Sequence, residues 1–184
     1  ETGFTELVEA RLKAELENLK VSQLRMCSLI NDEMRIKEKL QFNKQQDCFV
    51  GQADTSLPND SKDLVLANSL CSVISGLSSS YRIPVGYFFT KGLTGTQLHV
   101  MTVFIMKKVE SCGFHIIRLS TDNHKVNVQA TRRLGNSIIT YTTDHPCDPD
   151  RPLFMSCFNP CHVLKNVPYQ FLAHDIGPKR EVSV

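Results

Sequence analysis

The stretch Phe114–Gly135, FHIIRLSTDNHKVNVQATRRLG, decides how the rest of the chain is interpreted. It opens with a short apolar run in which adjacent Ile116 and Ile117 favour a strand buried on both faces. Apolar residues at helical spacing follow, up to the terminal glycine, and predict a helix. Asp122 lies between the two, where α/β folds place catalytic or metal-binding carboxylates. The alternative is that Asp122 only caps the helix, because aspartate is a favoured capping residue.

Length and composition describe an ordinary globular chain. Its 184 residues suffice for one sizeable core and are too few for two comfortable domains. Hydrophobic residues make up 41% of the chain and charged residues 22%, and the formal net charge is only +2. That charge gives no support for a strongly basic nucleic-acid surface. No apolar stretch approaches the ~20 residues that span a bilayer, so we expect no association with membranes.

The cysteines indicate reduced thiols in an intracellular protein. Their number, seven, is odd, and several of them lie inside apolar runs where cysteine acts as a small core residue. They are Cys27, Cys48, Cys71, Cys112, Cys147, Cys157 and Cys161. The chain lacks a starting methionine and ends on a polar tail, which favours an excerpt of a longer protein.

Two helices are predicted with clear patterns. Residues 5–20 form an amphipathic helix in which leucines recur on one face. Thr94 and Gln97 form a capping box at the start of the second helix, which Cys112 and Gly113 end. The buried stripe of this second helix consists of Leu98, Met101, Ile105 and Val109.

Strands account for most of the remaining chain. We predict them at 25–30, 39–43, 47–52, the second half of 64–77, 83–89, 114–119, 137–142 and 153–158. The second and third form a hairpin, and Pro84 places its strand at an edge of the sheet. The proline-rich residues 144–152 are expected to be a loop, and a helix should begin at 161. This order of elements predicts a three-layer α/β/α domain around a mixed central sheet.

Two aspartates are candidates for a metal site. The order of elements puts Asp32 at the end of the first strand and Asp122 at the end of a later strand that can pair beside it. Carboxylates at neighbouring strand ends can hold Mg²⁺ or Mn²⁺, and a pair of such ions activates water for attack on a phosphodiester. Spacing along the sequence cannot by itself bring the two residues together.

Three parts of the chain resemble the RNase H-like catalytic domain of P-element-type transposases, including those fused to THAP zinc-binding domains. SLINDEMRIKEKLQFNKQQDCFVGQAD (28–54) is similar to the family's strand ending in Asp-Glu-Met and the hairpin after it. IPVGYFFTKGLTGTQL (83–98) with LSTDNHKVN (119–127) is similar to the part that carries the second acid. PLFMSCFNPCHVLKNVPYQFL (152–172) is similar to the segment that leads into the family's nucleotide-binding insertion. The resemblance covers residues 4–172.

The resemblance implies that Asp32 and Asp122 are the first and second catalytic, metal-binding acids of an enzyme that uses Mg²⁺ or Mn²⁺. It implies transposon-end DNA as the partner, a nuclear location and assembly into homo-oligomers. The family's third acid, a glutamate, follows the insertion domain, and this chain ends before it. Asn159 also stands where the family usually has aspartate, and Pro168-Tyr169-Gln170 replaces the usual Arg-Asn-Asn. We therefore expect this chain alone neither to cleave nor to join DNA.

The same resemblance suggests how the chain is divided. Residues 1–20 form an N-terminal amphipathic helix, and residues 21–158 form an RNase H-like domain that lacks its C-terminal part. Residues 159–184 begin a helix leading to a missing insertion domain and end as a polar tail.

Two other interpretations stay open. The chain could be a domesticated, non-catalytic module for association with protein or DNA, and metal binding by the two aspartates would separate these cases. It could also be a small zinc-binding protein that uses Cys157, Cys161 and His162, with Cys147 or His145 as a fourth ligand. The spacing lacks the paired CxxC of common zinc sites.

Other charged residues are interpreted more simply. Lys107-Lys108 and Arg132-Arg133 are basic pairs on predicted helices and are expected to form solvated faces. Arg132-Arg133 follows the Asp122 strand and is therefore also a candidate for contact with phosphate. His124 is expected to be a bystander of the metal site.

Overall fold

A computed structural model describes residues 2–36, 41–45, 47–50 and 68–156 of the chain. The helices in these ranges are α1 (Glu6–Asn18), α2 (Gly95–Ser111) and α3 (Lys125–Leu134), and a 3₁₀ turn spans Ser22–Arg25. The strands are β1 (Met26–Arg35), β2 (Gln41–Asn43), β3 (Cys48–Val50), β4 (Asn68–Gly76), β5 (Arg82–Thr90), β6 (His115–Ser120), β7 (Thr142–His145) and β8 (Asp148–Ser156). Among the described helices, none is long and apolar enough to cross a membrane.

Six strands form one mixed sheet in the order β5-β4-β1-β6-β8-β7. Strand β4 runs antiparallel to both β1 and β5, whereas β6 runs parallel to β1 and β8 runs parallel to β6. Strand β7 returns antiparallel to β8 at one edge, and β5 lies at the other edge, as its proline predicts. Strands β2 and β3 form the predicted hairpin apart from this sheet. The predicted α/β class with a mixed central sheet is confirmed.

The core lies between the sheet and the helices. Along β1, Cys27 and Leu29 are fully buried and share one face of the strand, because alternate residues of a strand point the same way. All four residues of the predicted stripe of α2 are buried, and this helix packs against β5, β6 and α3. Helices α1 and α2 contact the sheet, and α3 packs on α2.

Helix α1 joins the same core instead of standing apart. The Thr5 side chain caps it by accepting a hydrogen bond from the amide of Val8 at 3.3 Å, and Leu12 is fully buried. Leu16 lies against Gly113, in the turn that ends α2. Gly113 has a φ of +93°, a conformation that glycine adopts without strain.

A close approach between α2 and α3 depends on Gly95. A Cβ atom at this position would lie 2.5 Å from the Cβ of Gln129, so only glycine fits the crossing as it stands. Ala130 and Leu134 are buried on the facing side of α3, as their helical spacing predicts.

Two predictions for residues 137–152 are wrong. The predicted strand at 137–142 is a turn, because Asn136 and Ser137 adopt positive φ angles of 52° and 77°, and β7 begins only at Thr142. The expected proline-rich loop at 144–152 is the β7–β8 hairpin. Strand β6 pairs with β8 only from Phe154 onward, so the first half of β8 has one neighbour and tolerates prolines that lack an N–H donor.

Some predicted elements fall outside the described residues. The first residues of the segment 64–77 do so, whereas its second half is β4, as predicted. The end of the predicted strand 153–158 and the helix predicted from residue 161 also lie outside them.

Candidate functional site

Asp32 and Asp122 lie at the same end of the sheet: Asp32 is in β1, and Asp122 follows its parallel neighbour β6. The ladder between β1 and β6 pairs Leu29 with Leu119 and Ile30 with Ser120. Each aspartate lies two residues beyond that last pair. Adjacent strands are about 4.8 Å apart, so the register sets the two backbones opposite each other. The predicted side-by-side pairing of the two segments is confirmed, and the metal-binding role of the acids stays a prediction.

The first strand is longer than the sequence predicts, so its expected end at Ile30 is wrong. Strand β1 continues to Arg35 because β4 pairs with it over that whole length, and Asp32 is the register partner of Cys71. On the other side β6 has already ended. Asp32 is therefore held in a ladder along one flank of its strand and is open on the flank that faces Asp122.

Asp122 is oriented by the residues that follow it. Its Oδ1 atom accepts a hydrogen bond from the backbone N–H of His124 at 2.9 Å and another from the side-chain amide of Asn127. The capping residue of α3 is His124, so the alternative that Asp122 is the helix cap is wrong. The Oδ2 atom accepts no hydrogen bond from any described residue. One carboxylate oxygen is thus fixed and the other is available to a ligand.

Asp32 has a different environment. Its side chain is exposed and takes part in no hydrogen bond or ion pair with the described residues. The adjacent Glu33 points to the opposite face of the strand, where its carboxylate accepts a hydrogen bond from the hydroxyl of Thr90 at 3.2 Å. Glu33 is therefore engaged with β5 and does not extend the aspartate pair.

A buried polar network fixes the strand next to Asp32. The side-chain amide of Asn31 donates to Thr102 of α2 at 2.9 Å, and its carbonyl oxygen accepts from Ser72 of β4 at 2.8 Å. Thr102 in turn donates to the carbonyl oxygen of Leu98 at 2.7 Å. The network joins β1, β4 and α2, and it holds the backbone from which Asp32 projects. Sequence reasoning missed it, although a small polar residue inside an apolar strand is a usable signal.

The structure brings two acids together and not three. Among the described residues no group of three or more histidine, cysteine, aspartate or glutamate side chains could hold a metal ion. Of the zinc candidates, Cys157, Cys161 and His162 lie outside the described residues. His145 is buried, and its Nδ1 atom accepts a hydrogen bond from the amide of Cys147 at 3.1 Å.

A second buried polar cluster lies at the other end of the sheet, around Glu110 in the last turn of α2. Glu110 accepts from the amide of Ile116 at 2.7 Å and pairs with Arg151 at 2.8 Å. The imidazole Nε2 of His145 lies 3.4 Å from the same carboxylate. Burial lowers the pKa of His145 below its ordinary value, against an opposing pull from the charge of Glu110. The sequence gives no signal for this cluster, because its members are far apart in the chain.

Four cysteines are free thiols: Cys27, Cys71, Cys112 and Cys147. Cys27 is fully buried, and desolvation raises the pKa of its thiol to about 12. Cys147 is exposed, in the β7–β8 hairpin.

The chain matches a family model over residues 1–135, and this model is described as the TNP-like, RNase H N-terminal domain. It is also similar to human DNA transposase THAP9, with 25% identity over 170 residues that cover 89% of this chain and 18% of that protein. The chain therefore spans less than a fifth of the length of this relative.

Among solved structures, the chain is similar to the Drosophila P element transposase strand transfer complex. The TM-score is 0.71 and the sequence identity is 18%, over 94% of this chain and 34% of that one. At this identity the likeness shows the fold. The RNase H-like arrangement predicted from the sequence is confirmed.

Proposed function

Because the chain belongs to the family of TNP-like RNase H N-terminal domains, we propose that it supplies the first two metal-binding acids of a P-element-type DNA transposase. In this proposal Asp32 and Asp122 hold a divalent cation, Mg²⁺ or Mn²⁺, for cleavage and transfer of DNA strands by the complete enzyme. The observation that supports it is the register of the parallel strands β1 and β6, because each aspartate lies two residues beyond the last pair, Ile30 and Ser120.

The donor set fits a hard divalent cation. Both candidate ligands are carboxylates, the ligand type that Mg²⁺ and Mn²⁺ favour. Asp122 has one oxygen held by Asn127 and the His124 amide, which leaves Oδ2 for a ligand, and the carboxylate of Asp32 is exposed. When bound, such an ion activates water and stabilises the leaving oxygen of a phosphodiester. The chain's own part is to hold the two carboxylates on neighbouring segments of the sheet, because ligands that are not held rigidly do not keep the geometry that the ion requires.

Two carboxylates hold one ion weakly, and a third ligand is needed to fix a second ion. The described residues contain no such third ligand near the pair. We therefore propose that this chain by itself neither nicks nor joins DNA. A nicking assay with Mn²⁺ in which turnover disappears in Asp122→Ala would contradict this statement.

The wider biology follows from the same proposal. The partner is DNA, the enzyme assembles as a homo-oligomer, and its place of action is the nucleus. Residues 1–20 form the N-terminal helix, 21–158 form an RNase H-like domain without its C-terminal part, and 159–184 lead toward an insertion domain. The similarity to a human DNA transposase supports DNA as the partner.

Thermal protection by metal ions tests the site. Added Mn²⁺ should raise the melting temperature, because the ion removes repulsion between two nearby carboxylates and binds only the folded chain. At an ion concentration ten times the dissociation constant, the gain in stability is about 1.4 kcal/mol. Asp32→Asn and Asp122→Asn should each abolish the protection and leave the metal-free protein as stable as before or more so.

Asp144→Asn is the matched control, since Asp144 is an exposed aspartate on the edge strand β7. It should keep the full protection. Equal protection in all three variants would remove Asp32 and Asp122 as an ion site and would leave the non-catalytic association module as the better interpretation. Stoichiometric zinc in protein prepared without chelator would favour the zinc site instead.

A further inference from the structure

The helix layer contains a cavity of about 470 Å³ between the start of α2 and the end of α3. We call it the arginine cavity. Its lining residues are Thr94, Gly95, Thr96, Gln129, Arg132, Arg133 and Ser137. A phosphate group with part of a sugar fits a volume of this size, since ligand cavities begin at ~300 Å³.

The charge of the arginine cavity is uncompensated. Two of its lining residues are arginines, and none is a carboxylate. Arg132 and Arg133 are both exposed, and neither forms an ion pair with any residue in the described ranges. Guanidinium groups pair with phosphate oxygens through two parallel hydrogen bonds, so two adjacent arginines favour a phosphate over a simple halide ion.

Hydrogen-bond donors complement these charges. The capping box of α2 uses the amides of Thr94 and Gln97, and the amide of Leu98 donates to the Thr94 carbonyl. The amides of Gly95 and Thr96 have no acceptor among the described residues, and both residues line the cavity. Free amides in the first turn of a 17-residue helix add a partial positive charge on the same side as the arginines.

The arginine cavity shares its side of the molecule with the two aspartates. Strand β5 runs parallel to β1, since both are antiparallel to β4, and it ends where Thr90 bonds Glu33 beside Asp32. Helix α2 begins five residues later, and α3 begins three residues after Asp122. Arg132 lies seven residues along α3, or roughly 10 Å from its start. A distance of roughly 10 Å corresponds to about three phosphates along one DNA strand, which are ~3.4 Å apart along the helix axis, so one duplex can contact both places.

We propose that the arginine cavity binds a backbone phosphate of the DNA whose scissile phosphate lies at Asp32 and Asp122. The contact is independent of base sequence, and it positions the strand across the carboxyl-terminal edge of the sheet. This inference rests on the proposed function, because that function makes DNA the partner. The phosphate chemistry alone would also suit a free nucleotide, so the test separates the two sources.

The test measures binding of a fluorescein-labelled 30-base-pair duplex by fluorescence anisotropy, between 50 and 200 mM NaCl, in EDTA. EDTA removes divalent ions, so the aspartates bind no metal in this experiment. A negative result here is therefore distinct from a negative result in the thermal-protection experiment with Mn²⁺. The double variant Arg132→Gln/Arg133→Gln should weaken binding roughly tenfold or more at 50 mM salt. The slope of log affinity against log salt should become shallower by about 1, because one phosphate contact is lost.

Matched variants separate the arginine cavity from charge in general. Lys107→Gln/Lys108→Gln removes the same charge from exposed positions near the other end of α2 and should leave affinity within about twofold. Arg132→Lys/Arg133→Lys should keep the salt slope and lose part of the affinity, because lysine cannot form the paired contact. Since both arginines also suit the last turn of α3, urea unfolding must show that the glutamine variant is folded.

Two results would overturn the proposal. One is an equal loss of DNA affinity in Arg132→Gln/Arg133→Gln and in Lys107→Gln/Lys108→Gln. The effect would then come from net charge and not from the arginine cavity. The other is a dependence on the two arginines that is seen for a free phosphate compound and not for DNA. If inorganic phosphate or a nucleoside triphosphate at millimolar concentration binds the wild type and not Arg132→Gln/Arg133→Gln, while both bind duplex equally, the ligand is a free phosphate compound.

Discussion

Replacing Asn31 by alanine removes the side chain that ties β1 to its neighbours next to Asp32. Two hydrogen bonds disappear, one to Thr102 and one from Ser72. Thr102 still donates to the Leu98 carbonyl, whereas the Ser72 hydroxyl, which is 1% exposed, loses its acceptor. A buried donor left without a partner costs about 1–3 kcal/mol, and the lost bond to Thr102 adds about 1 kcal/mol. The expected loss of stability is therefore roughly 2–4 kcal/mol.

Urea unfolding followed by circular dichroism at neutral pH measures this loss. The midpoint should fall while the slope against urea stays constant, which marks a change in stability without a change in the unfolded state. Asn18→Ala is the matched control, because the Asn18 amide makes only an exposed bond of 3.4 Å at the end of α1. It should shift stability by less than about 0.5 kcal/mol.

A double-mutant cycle with Ser72→Ala separates the network from simple loss of volume. Removing Ser72 as well as Asn31 deletes the stranded hydroxyl, so the double variant should be more stable than the sum of the single changes predicts. We expect a coupling energy of about 1–2 kcal/mol. Additive effects, or an Asn31→Ala loss no larger than that of the control, would refute the network as the support of this strand.

The remaining predictions concern groups outside the candidate site. His145 has a lowered pKa in the folded chain, so its stabilising contribution is complete above about pH 6.5 and is lost as acid protonates the unfolded form first. The free energy of unfolding of the wild type should therefore fall between pH 7 and 5, and that of His145→Gln should fall less. The difference between the two should be at most about 1.4 kcal/mol per pH unit. An unchanged pH profile would contradict this cause. For the thiols, brief alkylation of the folded protein followed by peptide mass spectrometry should label exposed Cys147 and spare Cys27, whose pKa is raised to about 12. Cys27 should react only in urea, and its labelling in the native protein at the rate of Cys147 would refute its burial.

The pairing of the segments that carry Asp32 and Asp122 could be predicted because both residues follow apolar runs of the sequence. Apolar runs identify buried strands. Buried strands lie in the interior of a sheet, where they are next to one another. The last residues of β1 could not be predicted in the same way, because Asp32–Arg35 are all exposed and three of the four are charged. Their strand conformation comes from pairing with β4, a partner almost 40 residues away in the chain.

Residue preferences gave wrong predictions for residues 137–152. Ile138 and Ile139 have the β-branched character of a strand, yet both are exposed, since the positive φ angles at Asn136 and Ser137 turn the chain first. The prolines that suggested a loop are tolerated because part of β8 has a single neighbour. In both places the position in the sheet overrides the preference of the residues.

The two candidate acids contribute unequally to an ion site, and this follows from what holds each of them. Asp122 has one oxygen fixed by two donors from the start of α3, so little of its rotational freedom is left to lose when a ligand binds. The exposed side chain of Asp32 keeps its freedom, and only its backbone is fixed, by β4 on one flank and by the Asn31 network beneath it. In the proposed ion site, Asp122 would thus be held in place before the ion binds, and the side chain of Asp32 would be ordered on binding. In the proposed ion site, the polar network at Asn31 would fix the backbone of one ligand as well as stabilise the sheet.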